Sequence, residues 1–131
     1  MDETGLDPVS QERIARNDAA FRRANEEIEA AAVSLDFDPR AVPFICECAD
    51  RSCTAVIHLS LDEYETVRRQ SRWFLNVPGH QVAARGAAVV VDENERFVVV
   101  EKIAHAGEVV ERLDERRAAA PAEEAGAGAD G

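Results

Sequence analysis

A chain of 131 residues with a formal net charge of −11 has room for one domain with extensions, but not for two domains. Residues 1–40 carry ten acids and five arginines, and residues 106–131 carry seven acids and three arginines, whereas residues 41–105 are nearly balanced. The lack of a basic stretch excludes direct nucleic-acid binding, and the lack of an apolar run of about 18 residues excludes a membrane span. The acidic N-terminus lacks the regions of a signal peptide, so we expect a cytoplasmic protein.

The N-terminal part of the chain predicts one long helix, a helical arm over residues 7–35. Asp7 is a typical N-cap and Pro8 suits the first helical position, while residues 1–6 are expected to be disordered. Apolar side chains recur every seven residues and form a narrow seam of Ile14, Phe21, Ile28 and Leu35. Such a seam favours packing against the chain's own domain, and the alternative is a homodimer formed through this helix or a contact with a partner.

Residues 41–105 predict a small α+β domain with a mainly antiparallel sheet. Alternating or continuous apolar residues predict strands over 42–46, 54–59, 73–77, 87–91 and 97–102. The first two strands form a hairpin with the cysteines at its tip, and the last two form a second hairpin. The continuous valines of the second hairpin indicate a covered sheet.

Two further helices are expected in and after this domain. Ser60 and Glu63 have the spacing of a capping box, which predicts a helix over 61–70. Its expected buried stripe is Leu61, Tyr64 and Val67, and its expected outward residues are Glu63, Arg68 and Arg69. Residues 106–117 can extend a last helix through Val109, Val110 and Leu113, whereas the composition of residues 118–131 predicts a disordered tail.

All three cysteines of the chain lie within eight residues, at positions 46, 48 and 53. A reducing compartment disfavours structural disulfides, so the cluster points to metal binding or redox chemistry. Cys46 and Cys48 are two residues apart and face the same side of a strand, and Cys53 can return to them across a tight turn. With His80, which follows Pro78-Gly79, these side chains complete a Cys3His ligand set for a zinc ion.

The fourth ligand is the least determined part of this site. His80 is favoured because a tight turn fixes it, whereas His58 lies on a strand too close to Cys53 to fold back. His105 lies near a predicted helix start. Asp50 or an open water position are the remaining alternatives to His80.

Other chemistries compete with structural zinc. Three cysteines and a histidine also hold a two-iron iron–sulfur cluster, although such sites usually place the last Cys and the His close together in sequence. A thiol-dependent enzyme would use Cys48 or Cys53 as nucleophile and His80 as base. The other two thiols would then have no role in the reaction. A redox sensor would release zinc when its exposed thiolates are oxidised. An enzyme is the less favoured interpretation.

Residues 44–80 resemble a family of short uncharacterised bacterial proteins. The resemblance lies in a C-E-C…C turn, an E-Y-E…V-R helix, a P-G-H turn and a V-V-E-K strand, which are here Cys46-Glu47-Cys48…Cys53, Glu63-Tyr64-Glu65…Val67-Arg68, Pro78-Gly79-His80 and Val99-Val100-Glu101-Lys102. It covers about half of the chain. The family usually has a proline before the third strand, where this chain has residues 70–72 without one. The resemblance implies that the three cysteines and the histidine belong to one site, and it implies no activity.

The favoured interpretation is a zinc-stabilised module that acts through protein contacts and has a regulatory role. Its acidic ends and its helical arm are the expected contact surfaces for a protein partner.

Overall fold

The computed structural model describes residues 7–116, and the predicted disordered ends at 1–6 and 118–131 lie outside them. The elements in chain order are α1 (Pro8–Ser34), β1 (Val42–Ile45), β2 (Val56–Leu59), α2 (Leu61–Arg68), β3 (Trp73–Asn76), a 3-10 helix (His80–Ala84), β4 (Ala88–Glu93), β5 (Val98–Lys102) and α3 (Ala104–Arg112). This order confirms the α+β class with a long N-terminal helix. None of the described helices combines the length and apolarity needed to cross a bilayer.

Local sequence signals account for the starts of the first two helices. The Asp7 carboxylate accepts a hydrogen bond of 2.7 Å from the backbone N–H of Ser10, which caps α1. At α2, the backbone N–H of Glu63 donates to the Ser60 hydroxyl and the Glu63 carboxylate accepts from the Ser60 N–H. Both caps satisfy backbone donors that have no partner within the helix, so the predicted helix starts are confirmed.

The strands form two antiparallel sheets. In the first, β1 pairs with β2, and Val42 lies opposite Leu59. In the second, the strand order is β3-β5-β4, so β5 is the central strand. The two sheets meet where the backbone N–H of Glu47, just beyond β1, donates to the Leu75 carbonyl of β3 over 2.7 Å. This junction brings the cysteine loop to the free edge of β3.

The three-stranded sheet separates two hydrophobic clusters. One cluster includes Phe44, Leu59, Tyr64, Leu75 and Val99, and the ring of Phe44 stacks on that of Tyr64 with centroids 4.2 Å apart. The other lies between the opposite sheet face and the helices α1 and α3, and it includes Ala15, Phe74, Val98, Val100, Val109 and Val110. Both faces of the sheet centre are therefore covered.

The predicted apolar seam of α1 is not its buried face. Leu35 is 65% exposed, and Ile14 and Ile28 are only partly buried. The buried positions are instead largely polar or small, namely Gln11, Ala15, Asp18, Ala19, Arg22, Asn25 and Ala32. The polar members find partners in the domain, such as Lys102 for Asp18. Helix α1 thus packs on its own domain, but through a face that apolar periodicity did not indicate.

Two further burial predictions are wrong. Arg68, expected to point outward, is 3% exposed because its guanidinium binds the carboxylates of Glu26 and Asp114 over 2.8 and 2.9 Å. The valines of β4 were expected to be covered, but Val89 to Val91 are 39–47% exposed. Strand β4 lies at the sheet edge, and only the central β5 has its valines buried on both faces.

Candidate metal centre

The cysteine loop is shaped by its own short-range hydrogen bonds. The backbone N–H of Cys46 donates to the Ala55 carbonyl over 2.9 Å and so extends the β1–β2 hairpin by one pair. The Asp50 carboxylate accepts from both the backbone N–H and the hydroxyl of Ser52, and the Asp50 carbonyl accepts from the N–H of Cys53 over 3.0 Å. This turn reverses the chain and returns Cys53 towards Cys46, as the spacing predicted.

A second turn supplies the histidine. Gly79 has a φ of 95°, in the left-handed region that favours glycine, and it directly precedes the 3-10 helix that starts at His80. The backbone N–H of His80 donates to the Val77 carbonyl over 2.9 Å. Because β3 ends at Asn76, this turn lies at the end of the strand whose edge the cysteine loop contacts.

The two turns bring four ligand atoms together. Those of Cys46, Cys48, Cys53 and His80 all lie within 4.8 Å of one another. The Nδ1 atom of His80 is 3.6 Å from the Cys46 sulfur and 3.5 Å from the Cys53 sulfur. With Zn–S near 2.3 Å and Zn–N near 2.0–2.1 Å, sulfur and nitrogen corners of a tetrahedron lie about 3.6 Å apart. Both sulfur-to-nitrogen distances match this edge, so the four side chains are placed where they can hold one metal ion, with His80 offering Nδ1.

The surroundings of the thiols also suit a cation. Burial raises the pKa of Cys46 and that of Cys48, and the nearby thiols of the cluster add to the rise at Cys46. Several adjacent buried thiolates are unfavourable unless a positive charge compensates them. The Val77 backbone N–H donates to the Cys46 sulfur over 3.2 Å, a bond that acts in the opposite direction on that pKa and stabilises a thiolate.

The other candidate ligands lie elsewhere or have other partners. His58 is exposed on β2. His105 lies 3.4 Å from a carboxylate oxygen of Glu12 on α1. Asp50 holds Ser52 within the turn. None of these three is in the cluster of ligand atoms.

Glu47, between the first two cysteines, is a residue whose role was not predicted. It is fully buried, and its carboxylate accepts hydrogen bonds from the Leu75 N–H (2.9 Å), the Tyr64 hydroxyl (2.7 Å) and the Asn25 amide (2.9 Å). Burial raises the pKa of Glu47, whereas these three donors act to lower it. Strand alternation could have indicated that Glu47 faces away from the two flanking thiols, but not what it meets there.

No protein-family model matches the chain, and neither a curated protein nor a solved structure is significantly similar to it. The resemblance of residues 44–80 to a bacterial family therefore stays a prediction.

Proposed function

We propose that this chain is a small zinc-binding protein whose Cys3His centre has a structural role in a module that binds another protein. The observation that carries the proposal is the group of four ligand atoms within 4.8 Å, with sulfur-to-nitrogen distances that match the edge of a zinc tetrahedron. Thiolate and imidazole ligands in a tetrahedral arrangement favour zinc over the harder divalent cations.

The same distances favour one ion over a two-iron cluster. In a two-iron cluster each iron takes two protein ligands, so the two ligand pairs stand apart across the cluster core. Here the Nδ1 of His80 is nearly equidistant from two sulfurs, and the ligand atoms form one compact group. This arrangement supports a mononuclear site.

A structural role is supported by the number and position of the ligands. Four protein ligands close a zinc shell, whereas catalytic zinc keeps an open position. The ion would join the loop 46–53 to His80 at the far end of β3, and so tie the two sheets together. Cys46 and Cys48 are buried with raised thiol pKa values, which makes them poor nucleophiles in the absence of a metal.

The proposed partner is a protein with a basic surface. The chain carries a net charge of −11, and acids outnumber bases most strongly at its two ends. Such charge complements a basic patch and accelerates association at low salt. The outer face of α1 contributes exposed acidic and basic side chains to this surface, since its inner face is used within the domain.

Metal analysis of the purified protein tests the metal centre. We expect about one zinc per chain, and a cobalt-substituted sample with the visible spectrum of a tetrahedral thiolate site. Cys46→Ser should lower the affinity for zinc and the melting temperature together. Thr54→Ala changes an exposed side chain just after the loop, so it is the matched control and should keep full metal content. A metal-free, stable protein purified under reducing conditions without chelators would contradict the proposal.

A redox sensor is the second candidate, and the exposure of Cys53 favours it. Cys53 and His80 are only partly buried, and a cavity of about 190 Å³ is lined by His80 together with Cys48, Asp50 and Gly79. A small oxidant can therefore reach one edge of the cluster. A sensor predicts that low doses of peroxide release zinc while the rest of the fold persists. A purely structural site predicts that zinc stays bound until the protein unfolds.

A further inference from the structure

The segment that carries the first two cysteines makes contacts on two sides. Cys46 and Cys48 face the ligand cluster, whereas residues 45, 47 and 49 contact helix α1. Residues 45 and 49 make these contacts through their backbone carbonyls, and residue 47 makes its contact through its carboxylate. The metal centre and the docking site of α1 are therefore the two sides of the same short segment.

Asparagine side chains of α1 make the contacts on the second face. The amide of Asn25 donates to the Ile45 carbonyl and its oxygen accepts from the Ile45 N–H, both over 2.8 Å, as a neighbouring strand would. The same amide donates to the Glu47 carboxylate over 2.9 Å. Two turns earlier on the helix, the Asn17 amide donates to the Ala49 carbonyl over 3.2 Å.

Docking of α1 depends strongly on such directional contacts. The buried apolar residues of α1 are alanines, at positions 15, 19 and 32, and its larger Ile14 and Ile28 pack on the two clusters only partly buried. Each alanine offers only a methyl group, and a buried carbon of that size contributes about 0.8 kcal/mol. Polar contacts lose much of their strength when their geometry loosens, so α1 is sensitive to the order of the segment that it contacts.

We propose that Asn25 and Glu47 are positioning residues of the metal centre and couple metal binding to the docking of α1. The proposal rests on the proposed function, since it requires that the cluster binds an ion. A bound ion fixes Cys46 and Cys48. It thereby also fixes the backbone groups of Ile45 and the carboxylate of Glu47, which form hydrogen bonds with Asn25. In the other direction, a docked α1 holds Glu47 in place and so presents both thiols in the geometry that the ion requires. Coupling of this kind is reciprocal.

Glu47 connects this coupling to the fourth ligand. Its backbone N–H and its carboxylate bind the carbonyl and the N–H of the same residue, Leu75 of β3. Two residues further along, the Val77 N–H contacts the Cys46 sulfur, and His80 follows in the next turn. Glu47 thus sets the position of the cysteine segment relative to the strand that leads to His80.

The test compares metal affinity in the full-length wild-type protein and in three variants, measured by competition with a zinc chelator. Asn25→Ala and Glu47→Gln should each weaken zinc binding by about 10–100-fold, the range found for groups that orient metal ligands. Gln11→Ala is the matched control. Gln11 is also buried on α1, but it accepts from the Ala106 N–H of α3, away from the metal loop. Its affinity should stay within about twofold of wild type.

Hydrogen exchange provides a readout that a merely structural role would not change. In wild type, removal of zinc should increase amide exchange along α1. In Asn25→Ala that increase should disappear, because α1 has lost the hydrogen bonds of Asn25 to Ile45 and Glu47. Gln11→Ala should keep the increase. Glu47→Gln keeps the shape of the side chain and serves if Asn25→Ala does not fold.

Three results are informative. Weakened binding in the two loop variants, with metal-dependent exchange in wild type and in Gln11→Ala, supports the coupling. Zinc binding by wild type with unchanged affinity in Asn25→Ala or in Glu47→Gln overturns the coupling and leaves the proposed function intact. A wild-type protein that binds no metal overturns both.

Discussion

Removal of one hydroxyl group tests how the buried carboxylate of Glu47 is held. Tyr64→Phe deletes the phenol oxygen that donates to Glu47 over 2.7 Å. The variant keeps the ring, which is fully buried and stacks on Phe44 with centroids 4.2 Å apart. Burial raises the pKa of Tyr64, and the Glu47 carboxylate raises it further, so the hydroxyl stays a proton donor throughout the accessible pH range. The substitution therefore isolates a single hydrogen bond.

The expected loss follows from the partners that remain. Without Tyr64, the same carboxylate oxygen keeps only the bond from Asn25, in a site closed to water. A buried acceptor that loses a hydrogen-bond donor lowers the free energy of unfolding by about 1–3 kcal/mol. At about 4 °C per kcal/mol for a domain of this size, the melting temperature should fall by roughly 4–12 °C.

Urea and thermal unfolding of the purified protein, followed by circular dichroism, measure this loss. Thr66→Val is the matched control. It removes a hydroxyl from the same helix, but that hydroxyl is exposed and donates only to the Asp62 carbonyl one turn earlier. Its stability should stay within about 0.5 kcal/mol of wild type. Equal stability of Tyr64→Phe and Thr66→Val would refute the reasoning, because it would show that the Glu47 carboxylate does not depend on the phenol.

Substitutions at three other positions test a buried charge, the packing of a helix and backbone strain. Lys102→Met leaves the buried Asp18 carboxylate without its cation, and should destabilise by about 3–5 kcal/mol near pH 8. Burial raises the pKa of Asp18 to about 6, above the roughly 3.9 of an unfolded chain. That value includes the lowering effect of Lys102, so the pKa of Asp18 should lie higher still in Lys102→Met. The loss should therefore shrink as the pH falls from the alkaline side towards about 6, because the carboxyl takes up a proton earlier in the variant than in wild type. Urea melts at several pH values check this, and a loss independent of pH would contradict it. Gly107→Ala should destabilise the protein by about 1–3 kcal/mol in thermal melts, because the added Cβ would lie 2.8 Å from the Lys102 carbonyl oxygen. This loss is expected although alanine favours helices. A stabilised variant would show that α3 can shift. Gly79→Ala should lower the stability by about 1–2 kcal/mol through its φ of 95° alone, since nothing lies within 4 Å of the added Cβ. Gly79→Asn should lower the stability less. The reverse order would refute the argument from backbone strain.

The features that could be predicted are those that depend on residues close in sequence. The capping box of Ser60 and Glu63 spans three residues, and the turn that returns Cys53 is closed by Asp50 and Ser52. The α+β class follows from such local signals together with strand alternation. The proximity of His80 to the cysteines was predicted from ligand chemistry, and the structure brings the four groups together. That they bind zinc stays a prediction.

The features that could not be predicted depend on groups far apart in the chain. Arg68 was expected on the surface because a charged side chain is rarely buried. Its carboxylate partners, Glu26 and Asp114, are 42 and 46 residues away. The valines of β4 look like those of β5 in sequence, and only the strand order leaves one set at an edge.

The sequence by itself determined the cysteine turn and the helix starts and indicated the candidate ligands, since short-range hydrogen bonds and side-chain chemistry are sufficient for these. Only the tertiary structure decided which face of α1 is buried and what Glu47 does. Both depend on polar groups whose burial is favourable only once a partner from a distant segment is in place. Asn25 shows this most directly, because its amide is an ordinary helix-surface group until Ile45 and Glu47 are brought against it.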